Sequence, residues 1–231
     1  ALSRAKNIVY RRENLMAAFE TTLKKYPSKL DSNVVLKVYE GHFATVHSHI
    51  TKYIDFATIK ARRSEALAAA NILADKYVNT TIVDTILCME GTEVIGAYLA
   101  DKLTQNGILS MNAHKTIYVV SPEMGSGGQI VFRDNNEFMI RGKNVLLLVA
   151  SASTGGTIFQ CAECIEYYGG TIAGISAIFS ATSKVGNHDV NSIFTAEDVP
   201  GYGSFKMKDC PCCKNKQKLD AIVNAYGYSK I

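Results

Sequence analysis

The sequence predicts an α/β fold: a central, mostly parallel sheet flanked by helices, with an N-terminal hood. Three observations carry this. Short β-rich runs recur at residues 81–89, 115–120, 144–149 and 172–179, the third with five consecutive apolar residues. Helically patterned segments lie between them at 92–103 and 157–168, and glycine closes each, at Asn106-Gly107 and at Gly169-Gly170. Strands that are apolar on both faces and alternate with helices need cover on both sides of a parallel sheet.

The elements follow in order. Over residues 8–26 the apolar Val9, Leu15, Met16, Phe19 and Leu23 recur at helical spacing, which predicts an amphipathic helix stopped by Pro27. Val34, Val35, Leu36 and Val38 suit a strand or short helix, and the alternation from Phe43 to Asp55 suits short strands that form the hood. Residues 64–77 predict a helix with an alanine-rich interior and Ser64 as its N-cap. Beyond Ser180 the pattern loosens through Pro200, Gly201 and Gly203 to Cys210-Pro211-Cys212-Cys213, then recovers over 219–226. The expected organisation is a helix and hood at 1–80, an α/β core at 81–182, and an extension at 183–231 that packs on core or hood. There is no internal repeat.

A chain of 231 residues with 47% hydrophobic residues can bury one sizeable core. The net charge of +4 is spread among mixed acids and bases, and the basic pairs Arg11-Arg12, Lys24-Lys25 and Arg62-Arg63 are too short to act as arms. This excludes a nucleic-acid partner and suits a small anion. No apolar run reaches the ~20 residues that span a bilayer, and residues 1–30 lack the apolar centre of a signal peptide, so a soluble, cytoplasmic protein with no membrane contact is expected. Ala1 in place of Met suits a processed or trimmed chain. The six cysteines are expected to be reduced; Cys161 and Cys164 share one face of the 157–168 helix and read as buried.

The loop after the 144–149 strand carries the clearest chemistry. Ser153, Thr154 and Thr157 offer hydroxyls, Gly155 and Gly156 let the backbone approach a ligand, and the following helix presents free N–H groups and a positive dipole end. A phosphate monoester fits there. The alternative is an ordinary strand–helix turn whose glycines only permit tight packing.

Val145-Leu146-Leu147-Leu148 followed by Thr154-Gly155-Gly156-Thr157 resembles the phosphoribosyl pyrophosphate motif of type I phosphoribosyltransferases: four apolar residues, two acids, two variable residues, then Thr-Thr-Gly-Gly-Thr. The resemblance implies that Ser153, Thr154, Gly155, Gly156 and Thr157 hold the 5′-phosphate of the ribose. Glu40-Gly41-His42-Phe43, His47-Ser48-His49 and Tyr53-Ile54-Asp55 are similar to the hood of the orotate branch, and residues 121–142 sit where that branch carries a flexible loop.

Val149 and Ala150 stand where the family has its two acids, which hold the ribose hydroxyls. Ser151 there offers one hydroxyl. The flexible segment begins Ser121-Pro122-Glu123 in place of basic residues, leaving Arg133, Arg141 and Lys143 as its bases, and the first core loop, Cys88-Met89-Glu90-Gly91-Thr92-Glu93, brings two glutamates that oppose a polyanion unless Mg²⁺ lies between.

The resemblance therefore implies transfer of ribose 5-phosphate from phosphoribosyl pyrophosphate to a pyrimidine-type base, as in pyrimidine biosynthesis. It also implies Mg²⁺ at the pyrophosphate and a homodimer. Ser151, Lys52 and Tyr53 are the expected ribose or base contacts and Arg133 the expected pyrophosphate contact. The alternative function is a regulatory relative that binds a nucleotide or sugar phosphate without turnover. Cys210 and Cys213 have the C-x-x-C spacing of half a zinc site, whose other half would be His188, Cys161, Cys164 or the same pair of a second subunit. His42, His47 and His49 cluster closely enough for metal binding or base recognition, or for a polar hood rim. A structural zinc is thus the second cofactor considered.

Overall fold

Strand-forming and helix-forming runs alternate through the middle of the chain, and the computed structural model, which describes residues 17–105, 110–113, 115–125 and 129–231, shows the expected α/β architecture. A 3-10 turn at Ala18–Thr22 precedes strands β1 (Lys24–Pro27), β2 (Val35–Ala44) and β3 (His49–Asp55), and helices α1 (Ala57–Ala61) and α2 (Arg63–Ala74). The core runs through β4 (Thr85–Cys88), α3 (Glu93–Gln105), β5 (Tyr118–Val120), the ribbon β6 (Glu123–Met124) and β7 (Ile130–Val131), β8 (Asn144–Ala152), α4 (Gly156–Tyr167) and β9 (Thr171–Ser180). Strands β10 (Lys184–Val185), β11 (His188–Thr195) and β12 (Ser204–Phe205), helix α5 (Pro211–Lys214), and strands β13 (Ala221–Asn224) and β14 (Gly227–Lys230) follow.

The core sheet has the order β10-β11-β9-β8-β4-β5, parallel throughout except for β10. Strand β8 shows why both faces had to be apolar. Leu146, Leu148 and Ala150 point into one core with Leu73 of α2 and Ile95 and Leu99 of α3, while Val145, Leu147 and Val149 point into another with Ile158 and Ile165 of α4. Each fully buried Leu or Val there contributes about 1.5–3 kcal/mol relative to exposure. Strand β11 pairs in parallel with β9, so the core sheet takes in residues 188–195. The chain leaves β4 for β5 on one side and returns to β8 on the other. That change of direction opens a crevice beyond the carboxyl ends of β4 and β8, where ligands bind in open parallel sheets.

The second sheet has the order β12-β3-β2-β13-β14, with β1 also on β2. It forms the hood, cored by Phe19, Phe43, Tyr53, Ala221 and Val223. Its ladder shifts register between Glu40 and Phe43, a bulge that re-aims the side chain of His42.

Two local expectations are corrected. Residues 8–16 of the expected first helix lie outside the described residues, and its remainder is a 3-10 turn followed by β1, which pairs antiparallel with β2. Phe19 packs edge-on against Tyr39, Phe43 and Tyr228, and this cluster with the β2 ladder outweighs helical propensity. Pro27 closes a strand. Helix α2 begins at Arg63 with Arg62 as N-cap and no side-chain cap bond, so Ser64 lies inside the first turn. The expected helix ending at Asn106-Gly107 reaches Gln105, beyond which 106–109 lie outside the described residues. Among the described residues, no helix is long and apolar enough to cross a membrane.

Candidate functional site

Strand β8 stays in register with β9 until Ala152 faces Ser180, and the chain then turns through Ser153 and Thr154 into α4. Gly155 is the N-cap, with φ of 79° and no side chain capping the helix. That left-handed conformation favours glycine, and a Cβ there would lie 2.5 Å from Val185 Cγ2. At Gly156 a Cβ would meet only Thr154 Oγ1, at 3.9 Å. The first helical bond back to the loop runs from Phe159 N–H to the Gly155 carbonyl at 2.9 Å. The N–H groups of Gly156, Thr157 and Ile158 therefore precede the helical ladder and point with the dipole toward the crevice.

The loop forms one wall of a cleft of about 530 Å³ between core and hood. Opposite it stand the Thr45–Ser48 turn, Lys52 and Tyr53 of the hood, and Val223 to Ala225. Tyr202, pressed edge-on against Phe179, donates its hydroxyl to Ser153 Oγ at 3.2 Å and fixes that side chain.

Glu90 is the one carboxylate among the described residues that line the cleft. It sits in the β4–α3 loop with φ of 59°, followed by Gly91 at 80°. A left-handed glutamate is a strained choice, and three bonds hold it there. Thr92 Oγ1 donates to the Met89 carbonyl at 2.8 Å, Met89 N–H donates to the Leu148 carbonyl at 2.9 Å, and Lys60 Nζ donates to the Glu90 carbonyl at 2.6 Å. Lys60 Nζ also donates to the Ala225 carbonyl at 2.6 Å, tying the core loop to the hood. The Glu90 carboxylate accepts from the backbone N–H groups of Ala150 at 3.1 Å and Ser151 at 3.3 Å. Burial raises its pKa, and those N–H groups and Lys60 offset part of the rise. Burial lowers that of Lys60.

The residues singled out from the sequence fall into three places. Ser151 and the stretch Ser153, Thr154, Gly155, Gly156 and Thr157 share the cleft with Lys52 and Tyr53. Lys52 Nζ bonds Glu40 Oε1 at 2.5 Å, and Lys52 with Lys24 holds the Glu40 carboxyl at about 2. Tyr53 stacks on Tyr39 in the hood, and burial raises its pKa. Arg133 lies outside this lining and pairs in two-pronged fashion with Glu123 on the β6–β7 ribbon. Cys210 and Cys213 lie in the hood beside His42 and His49, not beside His188, Cys161 or Cys164. His47 is in the β2–β3 turn, so it does not share a strand face with His49. Cys161 and Cys164 are buried on α4, their thiols pushed up to about 12 and about 11 by that burial. Lys60 and Tyr202 carry no sequence signal: each is a single residue in an ordinary stretch, brought to the site only by the fold.

No protein-family model matches the sequence. The orotate phosphoribosyltransferase of Pelotomaculum thermopropionicum is 28% identical over 106 residues, covering 42% of this chain and 54% of that protein. The chain thus spans about half the length of the curated relative it matches. The Leishmania donovani UMP synthase structure overlaps 78% of this chain and 36% of its own, with a TM-score of 0.52 and 15% identity. The orotate phosphoribosyltransferase of Aeropyrum pernix overlaps 69% of this chain and 88% of its own at 18% identity, with a TM-score of 0.48. The resemblance to type I phosphoribosyltransferases is borne out, and so is the α/β fold it implies.

Proposed function

We propose that the chain is a phosphoribosyltransferase of the orotate type, using phosphoribosyl pyrophosphate and a pyrimidine-type base. The observation that carries this is one cleft lined both by the Ser153–Thr157 loop and by Glu90, whose carboxylate is held at the end of β8 by the N–H groups of Ala150 and Ser151. The 5′-phosphate sits on the α4 N-terminus, held by the N–H groups of Gly156 and Thr157 and the hydroxyls of Thr154 and Thr157. The ribose then extends along Ser151 toward Glu90. As the C1–O bond to pyrophosphate breaks and the C1–N bond to the base forms, positive charge develops on the ring. The Glu90 carboxylate stabilises it, in place of the acids that Val149 and Ala150 do not supply. The base lies under the hood, with the Lys52 ammonium beside it.

Mg²⁺ fits this donor set in a limited way. A hard cation that keeps water and substrate oxygens needs only one or two protein carboxylates, and the cleft offers Glu90. When bound, the ion would neutralise charge on the departing pyrophosphate.

The test is release of pyrophosphate from phosphoribosyl pyrophosphate and Mg²⁺, with orotate, uracil and adenine compared. Orotate-dependent release is expected. Val149 and Ala150 favour a second reading, a binding protein that senses a nucleotide or sugar phosphate. Tight binding of phosphoribosyl pyrophosphate with no release for any base would establish that reading instead.

A further inference from the structure

We infer that the hood contains a structural zinc site formed by His42, His49, Cys210 and Cys213. It stands apart from the cleft chemistry and does not depend on the proposed reaction. The four ligand atoms all lie within 4.8 Å of one another. His42 Nε2 is 2.9 Å from His49 Nδ1, 3.5 Å from Cys210 Sγ and 3.6 Å from Cys213 Sγ, and Cys213 Sγ is 3.2 Å from His49 Nδ1. An ion about 2.0 Å from nitrogen and about 2.3 Å from sulfur places tetrahedral neighbours roughly 3.3–3.8 Å apart. The observed spacings approach the edges of that tetrahedron without rearrangement of the backbone.

The tautomer of His42 supports the same conclusion. Its Nδ1 faces the carbonyls of Gln217 at 2.9 Å and Lys218 at 3.2 Å, which can only accept, so Nδ1 carries the proton. Nε2 is then a lone pair aimed at the other three groups, and the two carbonyls, by accepting from Nδ1, fix the orientation of the ring as a metal-binding imidazole requires. His42 and Cys210 are each 1% exposed. Two thiolates, two neutral imidazoles and Zn²⁺ sum to zero charge, so the complete site can be buried without an uncompensated ion. All four positions are filled by protein, which marks a closed, structural site.

The bulge at Glu40/Phe43 re-aims His42, β3 begins at His49, and Cys210 and Cys213 flank the start of α5. The ion would clamp the 210–213 segment onto the β2–β3 hairpin, whose turn forms part of the cleft wall. Cys212 is not one of the four.

The experiment is metal analysis of the full-length protein, then removal and return of Zn²⁺ and replacement by Co²⁺. Expected are about one zinc per chain and X-ray absorption showing two sulfur and two nitrogen neighbours at about 2.3 and 2.0 Å. Co²⁺ should give the intense visible bands of a four-coordinate site. Zinc should protect Cys210 and Cys213 from alkylation at least tenfold while leaving Cys212 reactive, and Cys212→Ser should keep full metal content where Cys213→Ser loses it. The wild-type measurements stand even if Cys213→Ser fails to fold. A protein that takes up no zinc, whose Cys210 and Cys213 alkylate equally with and without the ion, or in which those two residues form a disulfide, would overturn the site.

Discussion

Glu90 Oε2 accepts the backbone N–H of Ala150 at 3.1 Å, so a carboxylate from one core loop reaches the strand position where the related motif places its own acid. Glu90→Gln keeps the shape and can still accept from Ala150 and Ser151, but removes the charge. Pyrophosphate release should fall at least about a hundredfold. Ribose 5-phosphate should bind as before, as read by calorimetry.

The same substitution has a pH signature. Burial raises the folded-state pKa of Glu90 above its unfolded value, so the folded state holds this proton more tightly than the unfolded chain does. The stability it lends is complete below the ordinary glutamate range and is lost as pH rises through the raised folded value. Wild type and Glu90→Gln should therefore melt together in acid, with the variant gaining relative stability as the pH rises toward neutral. Melting curves across mildly acidic pH check this; a difference that shrinks with rising pH would contradict it.

The two loop glycines should separate folding from binding. Gly155→Ala forces a Cβ into a left-handed position against Val185 and should cost about 1–3 kcal/mol in denaturant unfolding. Gly156→Ala meets only Thr154 Oγ1 within the chain. It should leave stability within about 0.5 kcal/mol while weakening phosphate binding severalfold.

Restoring an acid by Ala150→Asp should fail. Ala150 is fully buried in the core that also holds Leu146, Leu148 and Ile178, and β8 is still mid-sheet at that point. An unpaired carboxylate there should cost at least about 3 kcal/mol. Denaturant unfolding measures it, and a variant that is both stable and more active would argue against Glu90 as the substitute.

Lys60→Met would leave the carbonyls of Glu90 and Ala225 without their ammonium donor. A loss of about 2–4 kcal/mol is expected for two such groups. Amide exchange should speed up in the β4–α3 loop and near Ala225 together, because one side chain joins both.

The core was legible because strands such as β8 are apolar on both faces and the helical runs between them are followed by glycine in the sequence. Strand β11 was not: Asp189, Asn191 and Ser192 interrupt its apolar residues, and only its pairing with β9 makes it a strand of the core. The 153–157 loop announces itself as hydroxyls around two glycines. Glu90 could be seen as an acid in the first core loop, but its meaning depends on β4 and β8 being neighbours. Lys60 depends on a contact with Ala225 that no local pattern encodes. The first strand was hidden by helical spacing around Phe19, whose partners Tyr39, Phe43 and Tyr228 come from distant segments.

The pairing of β13 with β2 joins distant parts of the chain. His42 and Asp220 exchange backbone and side-chain hydrogen bonds although they are 178 residues apart in sequence. Closing so long a loop is slow and entropically costly, so the core sheet, built from neighbouring segments, can consolidate before the hood does. Of the cleft lining, Val223 to Ala225 is the last part to be synthesised, after the β2–β3 hairpin and the α4 loop. Until then a phosphate ligand could meet the α4 loop but not the complete cleft.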